Sequence, residues 1–265
     1  MSNKIVLTDV GRALPSQIDL FICAASFESR TLSIVSVLDP QIVNKVLVFI
    51  DPELSGDLGV DAVKIAALDY RSNFFKSHRS INIPDDNAAL YGMIESRYAK
   101  RLRSVLKMYE RIGAGVRDSL KDGKFPLIIS GDHSNAGGTI AGIRMAYPDS
   151  RLGVIWIDAH ADLHSPYTSP SGNMHGMPMA VSLAEDNIEN KVNDLDYETI
   201  ELWERLKNVG DIMPKVEHRD VLFMTLRDLE EQEGYVIKQH KIKNFNTSEI
   251  QKLGVTKICR EAVKH

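Results

Sequence analysis

Two apolar runs without polar alternation constrain the fold of this chain more than any other feature. They extend from Phe125 to Ser130 and from Leu152 to Ile157, and a third run from Val221 to Leu226 repeats the pattern. Strands of this kind are buried on both faces, and they occur in parallel sheets that helices cover on both sides. The sequence therefore predicts an α/β domain with a mostly parallel sheet.

Helices and strands alternate along most of the chain, which supports the same fold class. An amino-terminal βαβ unit is predicted from a strand at 18–25, a helix that Ser26 caps and that runs to Leu38, and a strand at 45–50. Further helices are expected near 60–69, 98–121, 134–147, 230–239 and 247–263, with a short strand near 242–245. We expect an extension of unknown role at residues 1–42, followed by a main domain at 43–265.

The charge of the chain argues against large anionic partners. The formal net charge is −4 and the pI is near 6.1, so no basic field is available for nucleic acid or anionic lipid. No apolar run approaches the roughly 20 residues that cross a bilayer. The two cysteines, Cys23 and Cys259, suggest no disulfide framework. We expect a cytoplasmic protein that acts on a small molecule.

Acidic and imidazole side chains follow the first two apolar runs directly. His133 lies three residues after the first, and Asp158, His160 and Asp162 follow the second. In an extended chain the last three side chains would point to one side. Crowding them at the end of a buried strand without a cation would cost several kcal/mol. Oxygen and nitrogen ligands without cysteine favour Mn²⁺, while Zn²⁺, Fe²⁺ and Co²⁺ also fit by ligand type.

Three motifs resemble the arginase (ureohydrolase) family in composition, order and spacing. They are Ser130-Gly-Asp-His-Ser134, Asp158-Ala-His-Ala-Asp162 and Ser171-Gly-Asn-Met-His-Gly-Met-Pro178. The similarity extends from about residue 45 to the carboxyl terminus and is strongest over 122–184. It implies an arginase-like three-layer αβα fold. It also implies a pair of Mn²⁺ ions that activate the water which attacks a guanidinium carbon.

The resemblance assigns a role to each metal-site residue. His133 and Asp162 would bind one ion and His160 the other, while Asp158 would bridge the two. His175 matches the family's proton-shuttle histidine, so the resemblance implies that His175 and Asp162 are the catalytic residues. A guanidinium is a poor electrophile, and its hydrolysis at neutral pH needs the strong nucleophile that water on a metal provides. The leaving amine must also gain a proton.

Some of the residues that the resemblance places in the substrate-binding part of the site differ from the family pattern. Ser171 and Asn173 keep the family's identities and are expected to hold a substrate carboxylate. His164 stands where arginases often have Asn, and Glu230 ends an Arg227-Asp-Leu-Glu sequence that resembles the family's Arg-Asp-x-Asp. These two positions are also assigned to the substrate site, although both changes are compatible with neutral loop variation. We therefore expect an arginase that converts arginine to ornithine and urea, with formimidoylglutamase or an agmatinase-type hydrolase as alternatives.

Members of the family carry a second Asp-x-Asp pair at the end of a later strand. This pair has no counterpart before the last residue, His265. We therefore expect the last strands of the family domain to be missing, which leaves Asp158, Asp162 and a hydroxide to balance two divalent ions. Asp194 and Asp196 have the spacing of such a pair but follow a polar run, so we set them aside. A truncated, inactive metal-binding or assembly subunit is the alternative from another class. The family also suggests a homo-oligomer.

Overall fold

All strand pairings in the computed structural model are parallel, as the sequence predicted. The structure describes residues 21–23, 46–51 and 57–265. The strands are β1 (Phe21–Cys23), β2 (Val46–Asp51), β3 (Ser80–Asn82), β4 (Phe125–Ser130), β5 (Val154–Ile157), β6 (Val221–Met224) and β7 (Lys243–Phe245). The predicted helix at 26–38 lies outside the described residues, as does most of the proposed extension at 1–42.

The helices occupy the stretches between these strands and after the last of them. They are α1 (Asp57–Asp69), α2 (Phe74–Ser77), α3 (Leu102–Lys121), α4 (Ala136–Ala146), α5 (Pro178–Leu183), α6 (Tyr197–Lys207), α7 (Glu231–Gln239), α8 (Thr247–Leu253) and α9 (Val255–Lys264). Among the described residues, no helix has both the length and the hydrophobicity of a membrane-spanning segment.

The described strands form two parallel sheets, each in its own compact unit. The first unit contains β1 and residues 151–161 and 216–265, and the order of its sheet is β1-β5-β6-β7. In this sheet Ile155 pairs with Leu222, and Leu222 in turn pairs with Lys243. Helix α9 covers the sheet through Ile258, which packs against the apolar side chains of β5 and β6. Trp156 and Phe223, whose side chains point to the opposite face, are 0 % exposed as well. Burial on both faces therefore explains the uninterrupted apolar sequences of both strands.

The second unit holds residues 44–150 and 162–215 and carries the sheet β3-β2-β4. Helices α3, α4, α5 and α6 surround its apolar core, whose largest members are Trp203 and Tyr109, both 0 % exposed. Helix α3 contributes one apolar face, with Val105, Ile112 and Val116 among its buried residues. This is the 3.6-residue periodicity that predicted the helix near 98–121.

Glycines allow α3 and α4 to pack at unusually short range. A Cβ atom added at Gly142 of α4 would lie 2.6 Å from the carbonyl oxygen of Gly113 on α3 and 2.6 Å from Cβ of Val116. Both contacts are to atoms that cannot rotate away. Because α4 begins three residues after His133, this contact also fixes the helix that follows the candidate site.

The structure differs from the sequence predictions at several places. The polar stretch before residue 86 contains α2 and β3, and neither α5 nor α6 was predicted. The terminal helix predicted at 247–263 is two helices, because Gly254 adopts φ +82° and interrupts the ladder of hydrogen bonds. Helix α8 ends there, and Gly254 donates its amide hydrogen to Ile250.

Substituting Gly142 tests the close helix contact. We expect Gly142→Ala to lower the free energy of unfolding by about 1–3 kcal/mol, because the added methyl group must push the two helices apart. Gly234→Ala in α7 is the matched control, since its new methyl group would meet no atom within 4 Å. The control should be neutral or raise stability by up to about 1 kcal/mol. Equal effects of both substitutions in urea titrations would contradict the packing account.

Candidate metal centre and substrate site

A network of short hydrogen bonds holds His133 directly after β4. The Asp132 carboxylate accepts a hydrogen bond from the Ser134 amide at 2.8 Å and so caps the 3₁₀ turn His133–Asn135. Ser130 Oγ donates to the Asp132 carbonyl oxygen and accepts from the Asn135 side chain, both at 2.9 Å. The polar residues of this first motif therefore shape the turn that presents the histidine.

Asp162 is held by the amino-terminal end of α5. Its carbonyl oxygen accepts hydrogen bonds from the amides of Met179 at 3.1 Å and Ala180 at 3.2 Å. Its φ is +53°, a left-handed conformation that Asp tolerates better than most residues. The extended conformation in which Asp158, His160 and Asp162 would point to one side is not the one observed, because the strand ends at Ile157 and the backbone then bends.

His133 and Asp162 form a close pair in the interior of the second unit. Nδ1 of His133 lies 2.8 Å from Oδ2 of Asp162, and the two side chains are 10 % and 6 % exposed. Adjacent ligands on an octahedral divalent ion, at bond lengths of about 2.1 Å, stand about 3.0 Å apart. The pair thus fits two neighbouring ligand positions of one ion. One imidazole nitrogen and one carboxylate oxygen suit Mn²⁺ and other borderline divalent cations.

Asp158 and His160 lie at the end of β5 in the first unit. The Asp158 amide donates to the Met224 carbonyl at 3.1 Å, and the Thr225 hydroxyl donates to the Asp158 carbonyl at 3.0 Å. These bonds to the end of β6 fix the backbone at Asp158. Oδ1 of Asp158 accepts from the His160 amide at 3.0 Å and lies 3.4 Å from its Nδ1. The Asp158 side chain is 2 % exposed and the His160 side chain 54 % exposed.

The loop with Ser171, Asn173 and His175 belongs to the second unit. Ser171 Oγ accepts the Asn173 amide hydrogen at 3.2 Å, and Oδ1 of Asn173 accepts a hydrogen bond from Nζ of Lys100 at 3.0 Å. His175 is exposed on the 3₁₀ turn Met174–Gly176. Sequence reasoning missed Lys100, because 73 residues separate it from its partner and no local motif marks it.

His164 is buried and held by Thr168. Its Nδ1 lies 3.1 Å from Thr168 Oγ1, and this hydroxyl also accepts the Ser165 amide hydrogen at 3.1 Å and donates to the Ser165 carbonyl at 3.4 Å. The Nδ1–Oγ1 contact orients the His164 ring, and the tautomer of the ring decides which of the two atoms donates. The backbone amide of His164 donates to the Gly176 carbonyl at 3.1 Å, so His164 also connects Asp162's segment to the loop that carries His175.

Glu230 has a structural contact that the sequence prediction did not include. It is the N-cap of α7, where its carboxylate and that of Glu233 form a reciprocal capping box. The predicted substrate contact of Glu230 stays a prediction. Asp196, which we set aside as a ligand, caps α6 by accepting from the Thr199 amide at 2.8 Å, and Asp194 pairs with Lys191 at 2.9 Å.

Histidine and carboxylate side chains that follow the strands of parallel sheets are of the types that bind divalent cations in hydrolases with an α/β fold. Comparison with known proteins gives the family. The family model described as Arginase family matches residues 56–265. This match covers most of the chain, and the chain belongs to the arginase family.

Individual relatives agree with this assignment. An arginase of Brevibacillus brevis is 40% identical over 171 residues, which cover 64% of this chain and 51% of that protein. Human arginase-1 is 35% identical over 166 residues, or 63% of this chain and 47% of the relative. A crystal structure of arginase from Bacillus subtilis has a TM-score of 0.67 and 34% identity, and covers 83% of this chain and 70% of that one. The chain spans about half the length of the curated relatives it matches.

Asp162→Asn tests the metal centre without removing the backbone conformation, because Asn also tolerates a positive φ. We expect it to weaken Mn²⁺ binding by at least about 10²-fold, since it replaces a charged ligand by a neutral amide. Calorimetric titration of metal-stripped protein with Mn²⁺ measures the change. The exposed Asp194→Asn is the control and should bind Mn²⁺ like the unchanged protein. Unaltered affinity in Asp162→Asn would remove this residue from the ligand set.

Proposed function

We propose that this chain is a manganese-dependent hydrolase of linear guanidino compounds, and that it acts as an arginase that converts arginine and water to ornithine and urea. The observation that carries the proposal is the buried His133–Asp162 pair, with 2.8 Å between Nδ1 and Oδ2, inside the stretch that matches the arginase family. Assembly into homo-oligomers is part of the same proposal, and it rests on the family resemblance.

Four residues would hold the two ions: His133, Asp158, His160 and Asp162. The first and last already lie together in the second unit. When bound, the ions polarise the substrate and lower the pKa of water, which is the chemistry that a resonance-stabilised guanidinium requires.

The side chains of the protein must place the substrate and move a proton. Hydrolysis forms a carbon–oxygen bond and breaks a carbon–nitrogen bond, so the departing amine needs one proton. His175 is the proposed donor, because it lies on an exposed turn whose backbone is tied to His164 through the Gly176 carbonyl. Ser171 and Asn173 are the proposed contacts for the end of the substrate opposite the guanidinium.

A substrate screen with Mn²⁺ present tests the proposed function. We expect urea and ornithine from arginine, and no product from metal-stripped protein, because water alone is too weak a nucleophile for a guanidinium. Formamide from formimidoylglutamate, or putrescine from agmatine, would assign a different substrate within the same reaction class. Tight Mn²⁺ binding without hydrolysis of any of these compounds would contradict the enzyme proposal and support a metal-binding subunit.

Replacing His175 tests its role as the proton donor. We expect His175→Ala to lower kcat by about 10²-fold and leave Mn²⁺ content unchanged, because general-acid catalysis typically contributes at least this factor. His265→Ala, which removes another exposed histidine, serves as the control and should retain full turnover. Unchanged kcat in His175→Ala would exclude the residue from the mechanism. A parallel loss of Mn²⁺ would show that the substitution disturbs the metal centre instead.

A further inference from the structure

We propose that His218 and His240 form a second metal site on the first unit, and that this site takes Zn²⁺ or a similar transition-metal ion. The inference goes beyond the proposed function, because neither residue belongs to the three arginase motifs and the site needs no guanidino substrate. The contact that carries it is a stack of the two imidazoles, whose ring centroids lie 3.7 Å apart and whose planes are inclined by 12°.

The two histidines hold equivalent places before neighbouring strands. His218 begins the 3₁₀ turn His218–Asp220 that leads into β6, and His240 follows the last residue of α7 and precedes β7. Each stands three residues before the first residue of its strand. Both residues therefore lie at the amino ends of parallel strands, whereas Asp158 follows the carboxyl end of β5. The pair is thus separate from the candidate metal centre.

Backbone and side-chain bonds fix the two segments that carry the pair. The His240 amide donates to the Val236 carbonyl oxygen at 3.0 Å, which closes the last turn of α7. The turn that begins at His218 is anchored through Asp220, whose Oδ1 accepts a hydrogen bond from Nε of Arg151 at 2.6 Å. The pairing of β6 with β7 then holds the two segments side by side. The rings are therefore brought together by the sheet itself.

The spacing of the ring nitrogens suits a shared ion. A nitrogen of His218 and a nitrogen of His240 lie within 4.8 Å of each other. Two nitrogen ligands of a tetrahedral Zn²⁺ ion, at bond lengths of about 2.0–2.1 Å, stand about 3.4 Å apart. An ion lies near the plane of each imidazole that binds it, so the rings must turn out of their stack. Neither ring is buried, and rotation about the side-chain bonds achieves this turn.

The chemistry of the pair selects the kind of ion. Imidazole nitrogens without a carboxylate suit Zn²⁺, Cu²⁺ and Ni²⁺ better than Mg²⁺ or Mn²⁺. The carboxyl end of α7, which His240 follows, carries a partial negative charge that attracts a cation. Two exposed lysines beside it, Lys238 and Lys241, oppose this attraction, but solvent and salt screen exposed charges. We therefore expect an exchangeable ion held by two histidines and water.

Calorimetric titration of the whole chain with Zn²⁺ tests the site. His240→Phe and His218→Phe each keep an aromatic ring for the stack and remove the ligand nitrogens. We expect each to weaken Zn²⁺ binding at this site by at least about 10-fold, whatever ions the candidate metal centre takes. Lys241→Gln is the matched control, because it removes a neighbouring positive charge and should keep or strengthen the binding. Equal Zn²⁺ binding by the unchanged chain and both Phe variants would overturn the inference.

Anomalous diffraction at the zinc edge, from crystals of the unchanged chain soaked in Zn²⁺, tests the same site without any substitution. We expect a peak bonded to one nitrogen of each histidine at about 2.0–2.1 Å. A peak on only one of the two rings, or none at either, would overturn the inference. Zn²⁺ bound by both rings in a chain that hydrolyses no guanidino compound would support it and contradict only the proposed function.

Discussion

The candidate site depends on the way Asp162 is fixed at the start of α5. Two amides of that helix donate to its carbonyl oxygen, and the left-handed backbone turns its carboxylate to within 2.8 Å of His133 Nδ1. His133 in turn precedes α4, which the close approach of Gly113 and Gly142 presses against α3. Backbone hydrogen bonds and helix packing thus position both His133 and Asp162, so the folded frame of the second unit holds this pair of candidate ligands in place.

The charges of the side chains on this frame differ from one part of it to another. A nearly buried carboxylate is costly unless a cation or hydrogen bonds compensate its charge, and a divalent ion shared with an imidazole is an effective compensation. The Ser171–Asn173 loop has the opposite character, because its hydrogen-bond donors stand beside the Lys100 ammonium group.

The sequence predicted the elements that bury apolar surface and the residues at their ends. Strand β4 was predicted with its observed bounds, because an uninterrupted apolar run that meets Gly131 and Asp132 has few alternatives. Helix α6 was missed, although Leu202, Trp203 and Leu206 have helical spacing and Asp196 is an N-cap residue. The bend after Ile157 and the Lys100–Asn173 contact depend on tertiary hydrogen bonds, which local patterns do not encode.

Anomalous diffraction at the manganese edge, from crystals of this chain grown with Mn²⁺, tests the central claim most directly. The account predicts an anomalous peak bonded to Nδ1 of His133 and to the Asp162 carboxylate at about 2.0–2.3 Å. A peak at Asp228 and Glu230 with none at His133 would contradict it. So would an occupied manganese site elsewhere while His133 and Asp162 form only a direct hydrogen bond with each other.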